Sequence, residues 1–342
     1  MPNKTQMAAE FREAPDIVRR QAQELTHPIA QLVAALRRKA PQVVVTCARG
    51  SSAHAATFAK HLIERHLGIP VSAVAPNIAT VYRRRLHLEG QLFLAISQAG
   101  RSDDIVESVE LAREAGALTA ALVNDTDSPL ARASDVVLPM MAGPELSVAA
   151  TKTFVASLAA VLRLAALWTD DTAIHQGLDR LPARLASASD MDWTTALPGL
   201  AAATNLVSIG RGPTLAIARE AALKLKETCR IHAEAFSGAE FQHGPIALVG
   251  RDYPVILFMP TDAAAEGLKT LAMALVRKGA AVFTTGSHSG APNALPTLES
   301  DHPDADAICL IQAFYGLVIQ VAHRRGNNVD RPPHLQKVTR TR

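Results

Sequence analysis

Val43-Val44-Val45-Thr46-Cys47-Ala48-Arg49-Gly50-Ser51-Ser52 is a β-branched run that stops at a glycine turn, and Asn205-Leu206-Val207-Ser208-Ile209-Gly210-Arg211-Gly212-Pro213-Thr214 repeats that form later in the chain. A short apolar run closing on glycine and small polar residues reads as a strand entering a turn. After the first run come a helical pattern from Ala53 to Leu67, a short strand at Val71 to Val74 and an apolar strand at Gln91 to Ile96. A helix over 103–115, a strand over 117–123 and a strand near Asp135 to Leu138 complete the series. Strands alternating with helices predict a parallel sheet covered on both faces. The repeat predicts that the arrangement occurs twice.

Outward from these runs, residues 8–39 read as helical with Pro15 and Pro28 as breaks, and 150–168 as a helix. A looser stretch at 169–198 holds a helical segment around 172–188. In the second half, strands are expected at Pro254 to Met259 and Ala281 to Thr285, with helices over 261–278 and 306–325. The tail from Gly326 to Arg342 contains Pro332-Pro333 and is expected to be extended. The predicted division is an N-terminal helical segment 1–30, a first α/β domain 31–170, a linker 171–198, a second α/β domain 199–325 and a tail 326–342.

A chain of 342 residues suits two domains of ordinary size. With 48% apolar and 20% charged residues it has the makeup of a folded globular protein, which excludes disorder. Lys and Arg total 35 against 32 Asp and Glu, so the net charge of +3 supports neither a nucleic-acid footprint nor a membrane patch. Cys47, Cys229 and Cys309 have no CxxC spacing and lie in or beside apolar runs, as expected of buried thiols in a reducing compartment. The first twenty residues have no apolar core, and Arg163 interrupts the apolar stretch Thr153 to Trp168. Neither a signal peptide nor a membrane span is read, and a cytoplasmic location is expected. No metal-ligand spacing, dinucleotide loop or nucleotide-binding loop occurs, so no metal or other cofactor is expected.

Glu220, Lys224 and Glu227 fall at i, i+4 and i+7, placing two carboxylates and an ammonium on one helix face. Periodicity leaves two readings: an ordinary solvated Glu–Lys face, or a proton-transfer site beside an anionic substrate. Gly50-Ser51-Ser52 and Ser97-Gln98-Ala99-Gly100-Arg101-Ser102 both sit where a strand ends and a helix begins. Ligands of open parallel sheets bind there, and helix N–H groups favour an anion. Ser51, Ser52 and Ser102 are then either helix caps or donors to a small phosphorylated ligand.

Across nearly its whole length the chain resembles the sugar isomerase (SIS) family with two tandem domains. It is close to the isomerase half of glucosamine-6-phosphate synthase. The resemblance is carried by Ser97 to Ser102, by Ala142-Gly143-Pro144-Glu145 through Ala149-Ala150-Thr151-Lys152, by Glu220 to Glu227, by His232-Ala233-Glu234 and by Gln242-His243-Gly244-Pro245. The tail Asp330 to Thr339 is closer to the variant in SIS-type glucosamine-6-phosphate deaminases. The fold implied is two doubly wound, flavodoxin-like α/β domains. The family also implies a homodimer whose sites are shared between subunits.

By resemblance, Glu227 shuttles the C1/C2 proton, with Lys224 and Glu220 holding sugar hydroxyls and tuning it. His243 is the ring-opening acid/base, reaching the site of the partner subunit. Lys337 either forms a Schiff base with the keto sugar or only positions it. Gly50, Ser51, Ser52, Ser97, Gln98, Gly100, Arg101 and Ser102 form the phosphate site, and Val148 meets the sugar through its backbone. The chain departs from the synthase at Ala99, where a serine is expected, and at Arg101, where the synthase is acidic; Arg101 either adds charge to the phosphate or lies in solvent. The synthase's glutaminase domain is not expected here, because the sequence enters the SIS-like portion within about one or two helices. The expected reaction is therefore glucosamine 6-phosphate and water to fructose 6-phosphate and ammonia. Its alternatives are an isomerase, deaminase or deglycase of another amino-sugar or fructosamine 6-phosphate, and a non-catalytic sugar-phosphate sensor.

Overall fold

The computed structural model of the protein describes residues 4–286 and 293–337. In chain order, α1 (Gln6–Phe11), α2 (Ala14–Glu24) and α3 (Thr26–Arg38) lead into β1 (Val44–Ala48), α4 (Gly50–Leu67), β2 (Val71–Ala73), α5 (Asn77–Thr80), β3 (Leu92–Ser97), α6 (Asp103–Glu114), β4 (Leu118–Val123), α7 (Pro129–Ala133) and β5 (Val136–Pro139). Then come α8 (Lys152–Thr169), α9 (Thr172–Ser189), α10 (Leu197–Ala202), β6 (Asn205–Gly210), α11 (Thr214–Cys229), β7 (His232–Ser237), α12 (Gly238–Gln242), β8 (Pro254–Leu257), α13 (Ala265–Arg277), β9 (Ala281–Thr285), β10 (Asn293–Leu295) and α14 (Pro303–Arg324).

Both sheets are parallel and have five strands. The first runs β2-β1-β3-β4-β5 and the second β7-β6-β8-β9-β10. Numbered within its own half, each has the order 2-1-3-4-5, the flavodoxin-like winding whose switch point lies between the first and third strands. The duplication read from the two glycine turns is thus present in the strand order.

Alternation along the strands divides the cores. Val45, Cys47, Phe93, Ala95, Ala121 and Val123 point from β1, β3 and β4 into one cluster with Ile105 and Val109 of α6. In the second half Val207, Ile209, Val255, Leu257 and Val282 meet Leu268, Leu271, Ala272 and Leu275 of α13. Those α13 positions recur at i, i+3, i+4 and i+7, the stripe a helix buries against a sheet. Each fully buried Leu contributes about 1.5–3 kcal/mol relative to exposure. The windows of α8 and α14 that are long and apolar enough to cross a bilayer are 83% and 89% buried, so the fold uses both helices as core. Burial raises the thiols of Cys47, Cys229 and Cys309 to about 12, which keeps them protonated and inert at neutral pH.

By contact the chain forms two compact units that interleave in sequence. One comprises Asp16–Glu145, Lys152–Leu178 and Gln336–Arg342, and holds the first sheet. The other comprises Met1–Pro15, Leu146–Thr151 and Asp179–Leu335, and holds the second. The linear division read from sequence does not contain this exchange of short segments. α9, over Thr172–Ser189, occupies most of the stretch expected to link the halves.

The helical stretch is interrupted just ahead of Pro15 and of Pro28, as expected, and each proline sits in the first turn of the next helix, where the absent N–H has no intrahelical partner to lose. The strand β7 was not expected, because His-Ala-Glu-Ala-Phe-Ser has little β-propensity and its alternation is weak. It is an edge strand, paired only with β6, so it needs no two-sided apolar pattern. The three-residue edge strand β10 was missed for the same reason.

Candidate active site

The loops after β1 and β3 flank the switch point of the first sheet. The loop after β1 turns at Gly50 with φ +53°, and Gly50-Ser51-Ser52 form the first turn of α4. After β3, Ser97 is buried and its hydroxyl accepts the Gly100 N–H at 3.1 Å, folding the loop on itself. The Gln98 carbonyl accepts the Asn124 N–H, and the Gly100 carbonyl the Leu130 N–H, each at 3.1 Å. Ser102 is the N-cap residue of α6, yet its hydroxyl makes no capping hydrogen bond.

Glycine at 100 is required by two separate constraints. Its φ is +62°, and a Cβ there would collide with Ser128 Oγ while standing 2.6 Å from Ser128 Cβ and 2.9 Å from Val123 Cγ2. Gly100→Ala is expected to destabilise the protein by about 1–3 kcal/mol and to weaken sugar-phosphate binding. Urea unfolding and titration with fructose 6-phosphate check this, and unchanged values in both would reject the role given to the loop.

Two residues that sequence reading passed over tie the loops together. The Arg49 guanidinium donates through Nε and Nη2 to Asp104 Oδ2 at 3.1 and 2.7 Å, joining the end of β1 to the first turn of α6. The Asp104 side chain is only 2% exposed, whereas Arg49 remains half-exposed. The Arg-Gly pair at the turn was visible in sequence; its partner was not. Arg101, for which two readings stood open, is exposed and donates to Asp125 Oδ2 at 2.7 Å, holding that carboxyl below its ordinary range.

Lys337 belongs to this first-sheet unit. Its Nζ donates to Glu145 Oε2 at 2.8 Å. Glu145 has no side-chain exposure and accepts two further bonds from Thr153, from the N–H at 3.2 Å and from the hydroxyl at 2.8 Å. The tail lysine is therefore held by a carboxylate that is itself fixed on α8. Sequence reading quoted Glu145 in a motif without giving it a role.

The unit of the second sheet holds the remaining residues. On α11, Lys224 Nζ bonds Glu227 Oε2 and lies 3.4 Å from Glu220 Oε1. Glu220 and Lys224 are fully buried, and Glu227 keeps 21% of its side chain exposed. This excludes the ordinary solvated Glu–Lys face, because such a face would not be buried. Burying a cation between two carboxylates is tolerable only with close pairing, which also restricts their motion. Of the three, Glu227 alone reaches solvent and is available to meet a ligand.

His243 caps the C-terminus of α12 and is exposed, its own N–H donating to the Glu240 carbonyl at 3.0 Å. Gly244 follows with φ +137°, a backbone state that turns the chain into a short 3-10 helix over Pro245–Leu248. Val148 donates its N–H to the Asp330 carbonyl at 3.1 Å, which ties its segment to the start of the tail.

The sequence profile of the SIS domain matches residues 38–167 and 199–294. The glutamine–fructose-6-phosphate aminotransferase [isomerizing] of Pseudomonas syringae pv. tomato is 34% identical over 359 aligned positions, covering 97% of this chain and 58% of that protein. The chain thus spans somewhat over half the length of the curated relatives it matches. Among solved structures, a candidate phosphosugar isomerase from Silicibacter pomeroyi superimposes with a TM-score of 0.91 at 43% identity, covering 95% of this chain and 99% of that one. The C-terminal domain of glucosamine-fructose-6-phosphate aminotransferase from Francisella tularensis does so with a TM-score of 0.84 at 25% identity, covering 96% and 98%.

Proposed function

The chain belongs to the SIS domain family, and from that premise we propose that it converts glucosamine 6-phosphate and water to fructose 6-phosphate and ammonia. The observation that carries the proposal is the buried trio on α11, with Lys224 between Glu220 and Glu227 and only Glu227 reaching solvent. The open-chain amino aldose must lose a proton from C2 and gain one at C1. A carboxylate held at a fixed angle by a buried ammonium suits that transfer. The ketimine so formed takes up water at C2 and releases ammonia, leaving the ketose.

His243 supplies the ring-opening proton transfer, as an imidazole does well near neutrality, and in the proposed homodimer it serves the partner's site. Ser52, Ser97, Gln98 and Ser102 hold the phosphate together with Gly50, Ser51 and Gly100; the uncommitted cap hydroxyl of Ser102 supports that role. Arg101, engaged with Asp125, contributes charge to the loop at a distance. Lys337, poised on Glu145, meets the open-chain carbonyl or keto carbon.

A second reading, isomerisation of a phosphosugar with its nitrogen retained or absent, is favoured by the description of the Silicibacter pomeroyi protein at 43% identity. The two part on one measurement. Purified protein given glucosamine 6-phosphate, without glutamine, is expected to release ammonia and fructose 6-phosphate in equal amounts. Ketose formation from a non-amino aldose phosphate with no ammonia from the amino sugar would favour the second reading, and bound but unreacted sugar phosphate would favour a sensor.

A further inference from the structure

Three chain segments far apart in sequence close a circuit of hydrogen bonds within the second-sheet unit. Glu10 on α1 is buried, and its carboxylate accepts from the Leu146 N–H, from the Ser147 hydroxyl and, at 3.2 Å, from the Ser147 N–H. The next residue, Val148, donates to the Asp330 carbonyl at 3.1 Å. The Asp330 carboxylate returns to α1, accepting the N–H groups of Gln6 at 3.0 Å and Met7 at 2.8 Å. It thereby satisfies two N–H groups that a helix start leaves without intrahelical partners.

The base of the circuit is rigid. Met7 and Phe11 of α1 are buried, and Phe11 packs on Tyr315 of α14 with ring centroids 6.4 Å apart. Gln312 of α14 donates to the Phe11 carbonyl at 2.7 Å. A buried carboxylate that spends its lone pairs on backbone and hydroxyl donors fixes those donors more firmly than water would. α1 also lies outside the residues matched by the family profile, which begin at 38.

We infer that Glu10 is a positioning residue: through Leu146 and Ser147 it holds the Val148 backbone in place to receive the sugar, with Asp330 as the opposing anchor. The inference rests on the proposed function for the identity of the ligand, and on the hydrogen-bond circuit for the clamp itself. Loss of Glu10 removes the carboxylate that the Leu146 and Ser147 N–H groups bond, while the Ser147 hydroxyl keeps the Ala149 carbonyl at 3.2 Å, and it loosens the 146–148 backbone. The consequence falls on substrate binding.

Wild type, Glu10→Ala and Glu10→Gln are compared by amide deuterium exchange and by the KM for glucosamine 6-phosphate. In Glu10→Ala, exchange at Leu146 and Ser147 and the KM are each expected to rise about tenfold, the factor associated with losing a net hydrogen bond of ordinary strength. Glu10→Gln, which keeps one acceptor oxygen, is expected to fall between wild type and Glu10→Ala. A merely structural role would lower the folded fraction and hence the apparent kcat while leaving KM alone. Ser147→Ala removes a single donor and keeps the test decisive if Glu10→Ala does not fold; its KM is expected to rise about threefold. Faster exchange with unchanged KM, or unchanged exchange, would overturn the inference. If wild type does not turn over the amino sugar, the proposed reaction fails, and the Kd for fructose 6-phosphate replaces KM in the same comparison, where an unchanged value would still overturn the clamp.

Discussion

Glu227→Gln is expected to lower kcat for glucosamine 6-phosphate by about a thousandfold while the Kd for fructose 6-phosphate stays within about threefold of wild type. The amide keeps the shape of the side chain and retains an oxygen that can accept from Lys224, so the packing of α11 survives. What disappears is the basic oxygen that takes the proton from C2. In the structure Glu227 is the only member of the trio with solvent access, 21% of its side chain, and the proposed function rests the shuttle role on that access. Undiminished turnover would reject that role. A parallel loss of binding would instead make Glu227 a ligand-holding residue, and the search for the base would move to His243.

Lys224→Met should be the most destabilising single change in the site, costing about 3–5 kcal/mol in urea unfolding. Lys224 and Glu220 have no side-chain exposure, so removing the ammonium takes from the buried Glu220 carboxylate the cation 3.4 Å away and takes from Glu227 its bond to Lys224. Methionine fills most of the lysine volume, which confines the loss to electrostatics and hydrogen bonding. Adding Glu220→Gln to Lys224→Met should recover part of the stability and none of the turnover, because it removes a buried charge that has lost its neighbouring cation without restoring the grip on Glu227. A cost below about 1 kcal/mol for the single change would show that the pair behaves as a surface ion pair does.

The same trio illustrates how far sequence reading carries. Helical periodicity put Glu220, Lys224 and Glu227 on one face, and α11 over Thr214–Cys229 does so. It could not say whether that face meets water or protein. α11 packs between the second sheet and α14, and this tertiary contact buries the charges. Arg101 shows the converse. Its place in the loop after β3 was legible, but its engagement depended on Asp125, brought alongside by the neighbouring strand β4.

Edge strands were the weaker point. Among the described residues β7 and β10 have neighbours on one side only. Such positions carry fewer constraints than central strands, so their residues signal less.

The sequence by itself determined the alternation of strands and helices, its duplication at Gly50 and Gly212, and the grouping of charges on one helix face, because periodicity and turn chemistry act over a few residues. Only the tertiary structure decided that Arg49 would lock onto Asp104, that Lys337 would rest on Glu145 192 residues away, and that Glu10 would clamp the backbone before Val148. Those pairings follow from the 2-1-3-4-5 winding and from short segments exchanged between the units, and no local pattern encodes which distant carboxylate a given cation or amide will meet.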